Sequence, residues 1–128
     1  MTQTVVVTGS FDDLRSRQVR FLEEASRFGE VTVLLWGDDL VRQRAGKPPK
    51  FAQAEREYFL RAIRFVRHVR VITDWSDADA LPEVPDFQPG IWVVDQRDDN
   101  PAKRTYCQNH AVHFSHLSNR MVSGNHRG

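Results

Sequence analysis

A chain of 128 residues suffices for one domain, with a core burying roughly two thirds of its unfolded surface. Its 18 basic and 17 acidic side chains nearly cancel, which argues against nucleic-acid or membrane binding by bulk charge. The single cysteine, Cys107, excludes an intrachain disulfide and a cysteine zinc site, and apolar runs fall far short of the ~20 residues of a membrane span.

Val5-Val6-Val7-Thr8 is a β-branched run that stops at Gly9-Ser10 and reads as a strand buried on both faces. Leu14 to Phe28 sets Val19, Phe21, Leu22, Ala25 and Phe28 against a charged face, which predicts an amphipathic helix stopped by Gly29. Val31 to Trp36 is a second apolar strand, closed by Gly37-Asp38-Asp39. Residues 42–50 are basic and contain two prolines, and they predict a cationic loop. Gln53 to Arg67 predicts a second long helix, with Phe59, Ala62, Ile63 and Val66 inward. Val69 to Thr73 predicts a third strand.

Residues 74–90 form an acidic, proline-containing connector with at most one short turn of helix. Ile91 to Asp95 is a fourth strand. Asn100-Pro101 combines an N-cap with proline at the first helical position, starting a helix that runs to about Asn109. Val112-His113-Phe114 is a fifth short strand. Residues 1–117 thus form the α/β domain, and 118–128 form a polar C-terminal tail.

Buried strands alternating with amphipathic helices predict a Rossmann-like, doubly wound α/β fold of about five parallel strands, helices on both faces. Ligands of such sheets sit beyond the carboxyl ends of the strands, where strand order reverses. The segments that matter most are therefore Thr8–Asp12, Trp36–Asp39, Thr73–Trp75 and Asp95–Asp99. A glycine turn feeding a helix N-terminus, as in Thr8-Gly9-Ser10-Phe11-Asp12, also offers free backbone N–H groups to a phosphate. One glycine alone equally describes a tight strand-to-helix turn, and Asp12 equally describes a helix cap.

The pattern Gly9-x-Phe11-Asp12-x-x-Arg15-x-Arg17-Gln18-x-x-x-Leu22-x-x-Ala25 resembles the opening of the cytidylyltransferase-like nucleotidylyltransferases, G-x-F-D-x-x-H-x-G-H-x-x-x-L-x-x-A. Further likenesses follow in order: Phe28 to Val33, Asp39 with Gly46-Lys47-Pro48-Pro49, Glu55-Arg56 to Leu60, Asp99-Asn100-Pro101-Ala102-Lys103, and more loosely Arg120 to Asn125. Together they cover residues 4 to 116, with the last lying beyond. The signature H-x-G-H is degenerate, reading Arg15-Ser16-Arg17-Gln18.

The resemblance implies binding of a nucleoside triphosphate, CTP or ATP, with Mg²⁺. It also implies a phosphorylated small-molecule acceptor and release of pyrophosphate. Thr8, Gly9, Ser10, Phe11 and Asp12 would cradle phosphate. Arg15, Gln18 and Lys47 would carry transition-state charge, with Arg17, Asp99 and Ser123 also binding nucleotide; Asp98, one position earlier, is the alternative to Asp99 as the acid near the nucleobase. Arg56 would be structural or close to the nucleotide. Guanidinium groups can supply charge-assisted hydrogen bonds to phosphate, but both histidines are missing and Arg17 adds bulk where the family has glycine.

Three functions stay open: a transferase, a nucleotide-binding or regulatory module without transfer, and an interaction domain presenting its arginine-rich first helix. Neither nucleic acid nor membrane is an expected partner. A homodimer through the sheet edge and a cytoplasmic location, the latter from the absence of a leader-like start, are further expectations. His110, His113 and His116 cluster in sequence without a carboxylate group beside them, so no metal site is expected there. Cys107 reads as a small buried thiol.

Overall fold

The structure is a computed structural model, and it describes residues 3–123. Its strands are β1 (Thr4–Gly9), β2 (Glu30–Trp36), β3 (His68–Ile72), β4 (Ile91–Asp95) and β5 (His113–Leu117). Its helices are α1 (Ser16–Ser26), α2 (Asp38–Ala45), α3 (Gln53–Ala62), α4 (Pro101–Asn109) and α5 (Asn119–Ser123), with a 3-10 turn at Gln96–Asp98. The sheet is parallel throughout, in the order β3-β2-β1-β4-β5. This is the doubly wound α/β fold that the alternation of strands and helices implied, and strand order reverses between β1 and β4.

Successive side chains on each strand point to opposite faces, so each central strand feeds two cores. Val5, Val7, Val31, Val33, Ile91 and Val93 pack with Leu22 and Ala25 of α1, Leu60 of α3 and Val122 of α5. Val6, Leu34, Trp92 and Val94 pack with Leu40 of α2, Cys107 of α4, and Trp75 and Leu81 from the connector. Each fully buried aliphatic side chain contributes about 1.5–3 kcal/mol, so both faces must be covered. The crossover from β3 to β4 covers its face with Trp75, Leu81, Val84 and Phe87 rather than with a helix.

Three local expectations need correcting. The first half of the supposed cationic loop is helical: α2 carries Asp38 and Asp39 in its first turn and Arg42 and Arg44 in its last, matching the helix dipole at both ends. Gly46, at φ +75°, caps it. The second long helix stops at Ala62, because Ile63 turns to extended backbone and Arg67 N–H bonds to Val31 O across to β2. Its inward face also differs. Arg56 and Leu60 are buried, whereas Phe59 is 43% exposed. The chain after Ser118 begins with α5, whose Val122 is fully buried; Gly124 to Gly128 lie outside the described residues.

Gly29 ends the turn after α1 at φ +153°, and a Cβ there would stand 2.0 Å from the Gln3 carbonyl oxygen. That oxygen accepts the N–H of Glu30, which starts β2 beside β1. Gly29→Ala is expected to cost about 1–3 kcal/mol, read as a lower urea midpoint at an unchanged m value.

Candidate functional site

β1 brings the chain to the carboxyl edge of the sheet at Thr8 and Gly9, and residues 10–13 then bend before α1. Phe11 and Asp13 hold positive φ values of +44° and +59°. Aspartate tolerates this region, but phenylalanine there stores strain of about 1–3 kcal/mol. Packing opposes that strain: the Phe11 ring lies over Gly9 and against the first core. Asp12 accepts the backbone N–H groups of Lys50 (2.6 Å) and Phe51 (2.9 Å), tying the α2–α3 loop to the bend.

Arg56 binds the bend to the rest of the edge. Its side chain is 1% exposed. It donates to the carbonyls of Ser10 (2.9 Å), Trp36 (2.7 Å) and Phe51 (2.9 Å), and to the Asp38 carboxylate (2.7 Å). One guanidinium thus joins the end of β1, the end of β2, the start of α2 and the loop before α3.

Above this edge lies a cavity of about 310 Å³ at the ends of β1 and β4. Thr8 and Gly9 line it from β1, and Arg17, Gln18 and Phe21 from α1. Trp36, Trp75 and Trp92, all the tryptophans of the chain, line it as well. Asp95, Arg97, Asp98 and Lys103 complete its polar side. The indole N–H groups of Trp36 and Trp92 are buried without an acceptor among the described residues. Trp75 donates instead to Ala80 O at 2.6 Å and meets the Trp36 ring edge-on. Arg44 covers the Trp75 ring and donates to its carbonyl.

The cations on the wall are already paired. Arg17 donates to Asp95 at 2.8 Å and to Asn119 at 2.7 Å. Arg97 reaches the same carboxylate through its backbone N–H (3.1 Å), Nε (3.2 Å) and Nη2 (3.3 Å). Burial pushes the Asp95 carboxyl up, but hydrogen bonds from Arg97 and Arg17 outweigh it and hold it below the ordinary value. Lys103, mostly buried, pairs with Asp79 at 2.9 Å. Hydrogen bonds from Asn100 and Lys103 lower the Asp79 carboxyl.

Of the residues singled out in the sequence, Thr8, Gly9, Arg17 and Gln18 line the cavity, and Ser10, Phe11 and Asp12 form the bend. The Gln18 carbonyl oxygen accepts Arg15 N–H at 2.9 Å, which leaves its amide NH₂ as the available donor. Arg15 itself is 72% exposed and pairs with Asp13. Lys47 is exposed in the α2–α3 loop and does not line the cavity.

Asp99 lies in a separate groove of about 510 Å³ between α4 and β5. One of its oxygens accepts Arg104 at 2.7 Å and lies 2.6 Å from His116 Nδ1, while the other is buried without a partner among the described residues. The Arg104 hydrogen bond is the largest cause of its lowered pKa. Ser123 ends α5, its hydroxyl 3.4 Å from Arg120 O. Burial pushes the Cys107 thiol up to about 11.

Asp95, Arg97, Lys103, Phe21 and the three tryptophans were not singled out as site residues, and Asp98 entered only as the alternative to Asp99. The strand-end rule reached Trp36, Trp75, Asp95 and Arg97 as parts of segments, but assigned them no role. Among the described residues no group of three His, Cys, Asp or Glu is placed to hold a metal ion. No described helix is long and apolar enough to cross a membrane.

The fold and the cavity define a doubly wound α/β protein with a ligand-sized site at its switch point. No protein-family model matches the chain. It is 41% identical over 66 residues to FAD synthase of Pyrococcus abyssi, covering 51% of this chain and 45% of that protein. It is 39% identical over 66 residues to FAD synthase of Pyrococcus horikoshii, with the same coverage, and 36% identical over 70 residues to that of Thermococcus kodakarensis, covering 54% and 47%. The matched stretch thus spans about half of this chain and under half of each relative.

Among solved structures, the lipopolysaccharide core biosynthesis protein of Thermoplasma volcanium superposes with a TM-score of 0.74 at 21% identity, covering 92% of this chain and 98% of that one. A protein of unknown function from Archaeoglobus fulgidus gives 0.67 at 15% identity, covering 98% and 96%. These two likenesses establish the shared fold.

Removing the Arg56 guanidinium leaves three carbonyls and a carboxylate without their donor. Arg56→Met is expected to lose about 3–5 kcal/mol of stability, measured by urea denaturation. Arg56→Lys is expected to recover only a fraction, because one ammonium cannot span all four acceptors.

Proposed function

We propose that the protein binds a nucleoside triphosphate, CTP or ATP, in the cavity at the ends of β1 and β4. We further propose that it transfers the nucleotidyl group to a phosphorylated small molecule. An acceptor phosphate oxygen attacks the α-phosphorus in line, the bond to the β-phosphate oxygen breaks, and pyrophosphate leaves. The observation that carries this reading is the cavity itself, at the switch point and beside the N-terminus of α1, with one more cation than carboxylate on its wall. The match to FAD synthases over half the chain supports it, since FAD is a nucleotide joined to a second phosphate-bearing group. The two buried indole N–H donors on the wall support it too, because a ring-bearing ligand with acceptors would relieve the cost of leaving them unpaired, about 1–3 kcal/mol each.

The Thr8–Asp12 bend and the first turn of α1 would hold phosphate, with Arg17 and the Gln18 amide beside it. Mg²⁺ would enter on the triphosphate oxygens, as that ion ordinarily does with one or two protein carboxylates. Asp98 fits this use, since it lines the cavity and has no hydrogen-bond donor on it among the described residues, whereas Asp95 is occupied by two arginines. Bound there, the ion would neutralise charge developing on the leaving pyrophosphate.

A second reading, nucleotide binding without transfer, is favoured by the commitment of Arg17 to Asp95 and Asn119 and by the exposure of Arg15. A panel of CTP, ATP, UTP and GTP with Mg²⁺ tests both readings. At a hundredfold excess over Kd the cognate nucleotide should stabilise the fold by about 2.7 kcal/mol, a rise of roughly 8–10 °C in Tm. It should also change the intrinsic fluorescence, since every tryptophan lines the cavity. Pyrophosphate release on adding a phosphorylated acceptor such as FMN supports transfer. Binding without release, across a set of such acceptors, selects the second reading. No shift with any nucleotide removes both.

A further inference from the structure

Two guanidinium groups from different parts of the chain converge on one carboxylate inside the cavity. Arg17 comes from α1, Arg97 from the turn after β4, and Asp95 ends β4. Two converging arginines form a fork that suits a phosphate, because their N–H groups match paired anionic oxygens. Here Asp95 takes that place. Its side chain is 12% exposed and Arg17's is 25% exposed, so the pair is only weakly screened by solvent.

We propose that Asp95 is an internal competitor that occupies the phosphate-binding fork, so that a ligand phosphate must displace it from Arg17 and Arg97. The inference rests on the nucleotide reading above and identifies the residue that limits affinity within it. A carboxylate held at short range acts at high effective concentration, and an incoming phosphate gains only the difference between two similar charge-assisted bonds. Displacement also frees Arg17 from the β4 side while Asn119 still holds it from α5, so the guanidinium can turn toward the ligand without leaving its helix. The same arrangement selects against singly charged anions. These offer the fork no more than Asp95 already does, whereas a di- or triphosphate brings further oxygens to the first turn of α1.

The test is Asp95→Asn in the full chain, titrated with inorganic pyrophosphate and with CTP and ATP plus Mg²⁺ by calorimetry or tryptophan fluorescence. Asn is nearly isosteric and removes the negative charge. Pyrophosphate and the cognate nucleotide are expected to bind about tenfold or more tightly to the variant, with a steeper salt dependence, because two uncompensated cations now face the ligand. Adding Arg17→Gln to Asp95→Asn should cancel most of that gain. If the wild type binds and Asp95→Asn binds equally or more weakly, the competitor role is overturned while the nucleotide reading stands. If neither protein binds pyrophosphate or any nucleotide, both fall.

Should Asp95→Asn fail to fold, the Asp95 carboxyl carbon can be followed by NMR in the wild type during a pyrophosphate titration. A saturable shift of that resonance supports displacement, and an unmoved resonance at saturation overturns it.

Discussion

The carboxyl edge of the sheet depends on one buried guanidinium. Arg56 is almost wholly removed from water and must find partners for its donors, and it finds them in the backbone carbonyls that terminate β1 and β2. Ser10 lies just past β1 and Trp36 is the last residue of β2, where a buried carbonyl short of donors would be costly. The arrangement is reciprocal: the strand ends satisfy the arginine, and the arginine fixes how the strand ends are bent. Asp12 reinforces this from the other side by holding the loop that leads into α3. The positive φ of Phe11 can persist because packing and this network over-determine the bend around it. The cavity inherits its shape from an edge stiffened in this way.

The strands were legible because burial on both faces leaves continuous runs such as Val5-Val6-Val7 and Val31 to Leu35, which no charged residue interrupts. The helix α2 was not. Its eight residues bury only Leu40 and Val41, and its last turn merges into the basic, proline-containing stretch that follows. What stabilises it is charge placed at the right ends and a left-handed glycine cap, signals that matter only once a helix is supposed. The face of α3 misled for a related reason. Positions 56, 59 and 63 share one face of a helix, and apolar character alone puts Phe59 in the core and the charge of Arg56 in water, yet the arginine is drawn in by carbonyls that lie 20 and 46 residues away in sequence. Hydrophobic pattern cannot register an acceptor set built by tertiary structure.

The site was half legible for the same physical reason. Thr8, Gly9, Arg17 and Gln18 sit where a strand-to-helix turn must put them, so local sequence sufficed. Asp95 meets Arg17 across 78 residues, and only the β1–β4 pairing brings the two together. Asp99 shows the converse. Counting along the chain makes it a neighbour of Asp98, but the 3-10 turn ends between them. Asp98 then lines the cavity, and Asp99 turns to Arg104 and His116 in the groove beside β5.

The aromatic wall follows from an irregularity in the fold. Between β3 and β4 no helix covers the sheet, and Trp75 and Leu81 of the connector perform that covering instead. An indole packed on a sheet face without a helix behind it needs support, and Arg44 supplies it from the last turn of α2 by lying over the Trp75 ring and donating to its carbonyl. The basic stretch read from sequence as a cationic loop, with Lys47 as its phosphate-facing residue, therefore divides. Arg44 turns toward the connector and holds one wall of the cavity, Lys50 pairs with Asp13 at the bend, and Lys47 stays in solvent. Positive charge around the cavity is thus spent chiefly on shaping it. The cations that an entering anion would meet there, Arg17, Arg97 and Lys103, already hold carboxylates, and those same ion pairs tie α1 to β4 and α4 to the connector around the cavity.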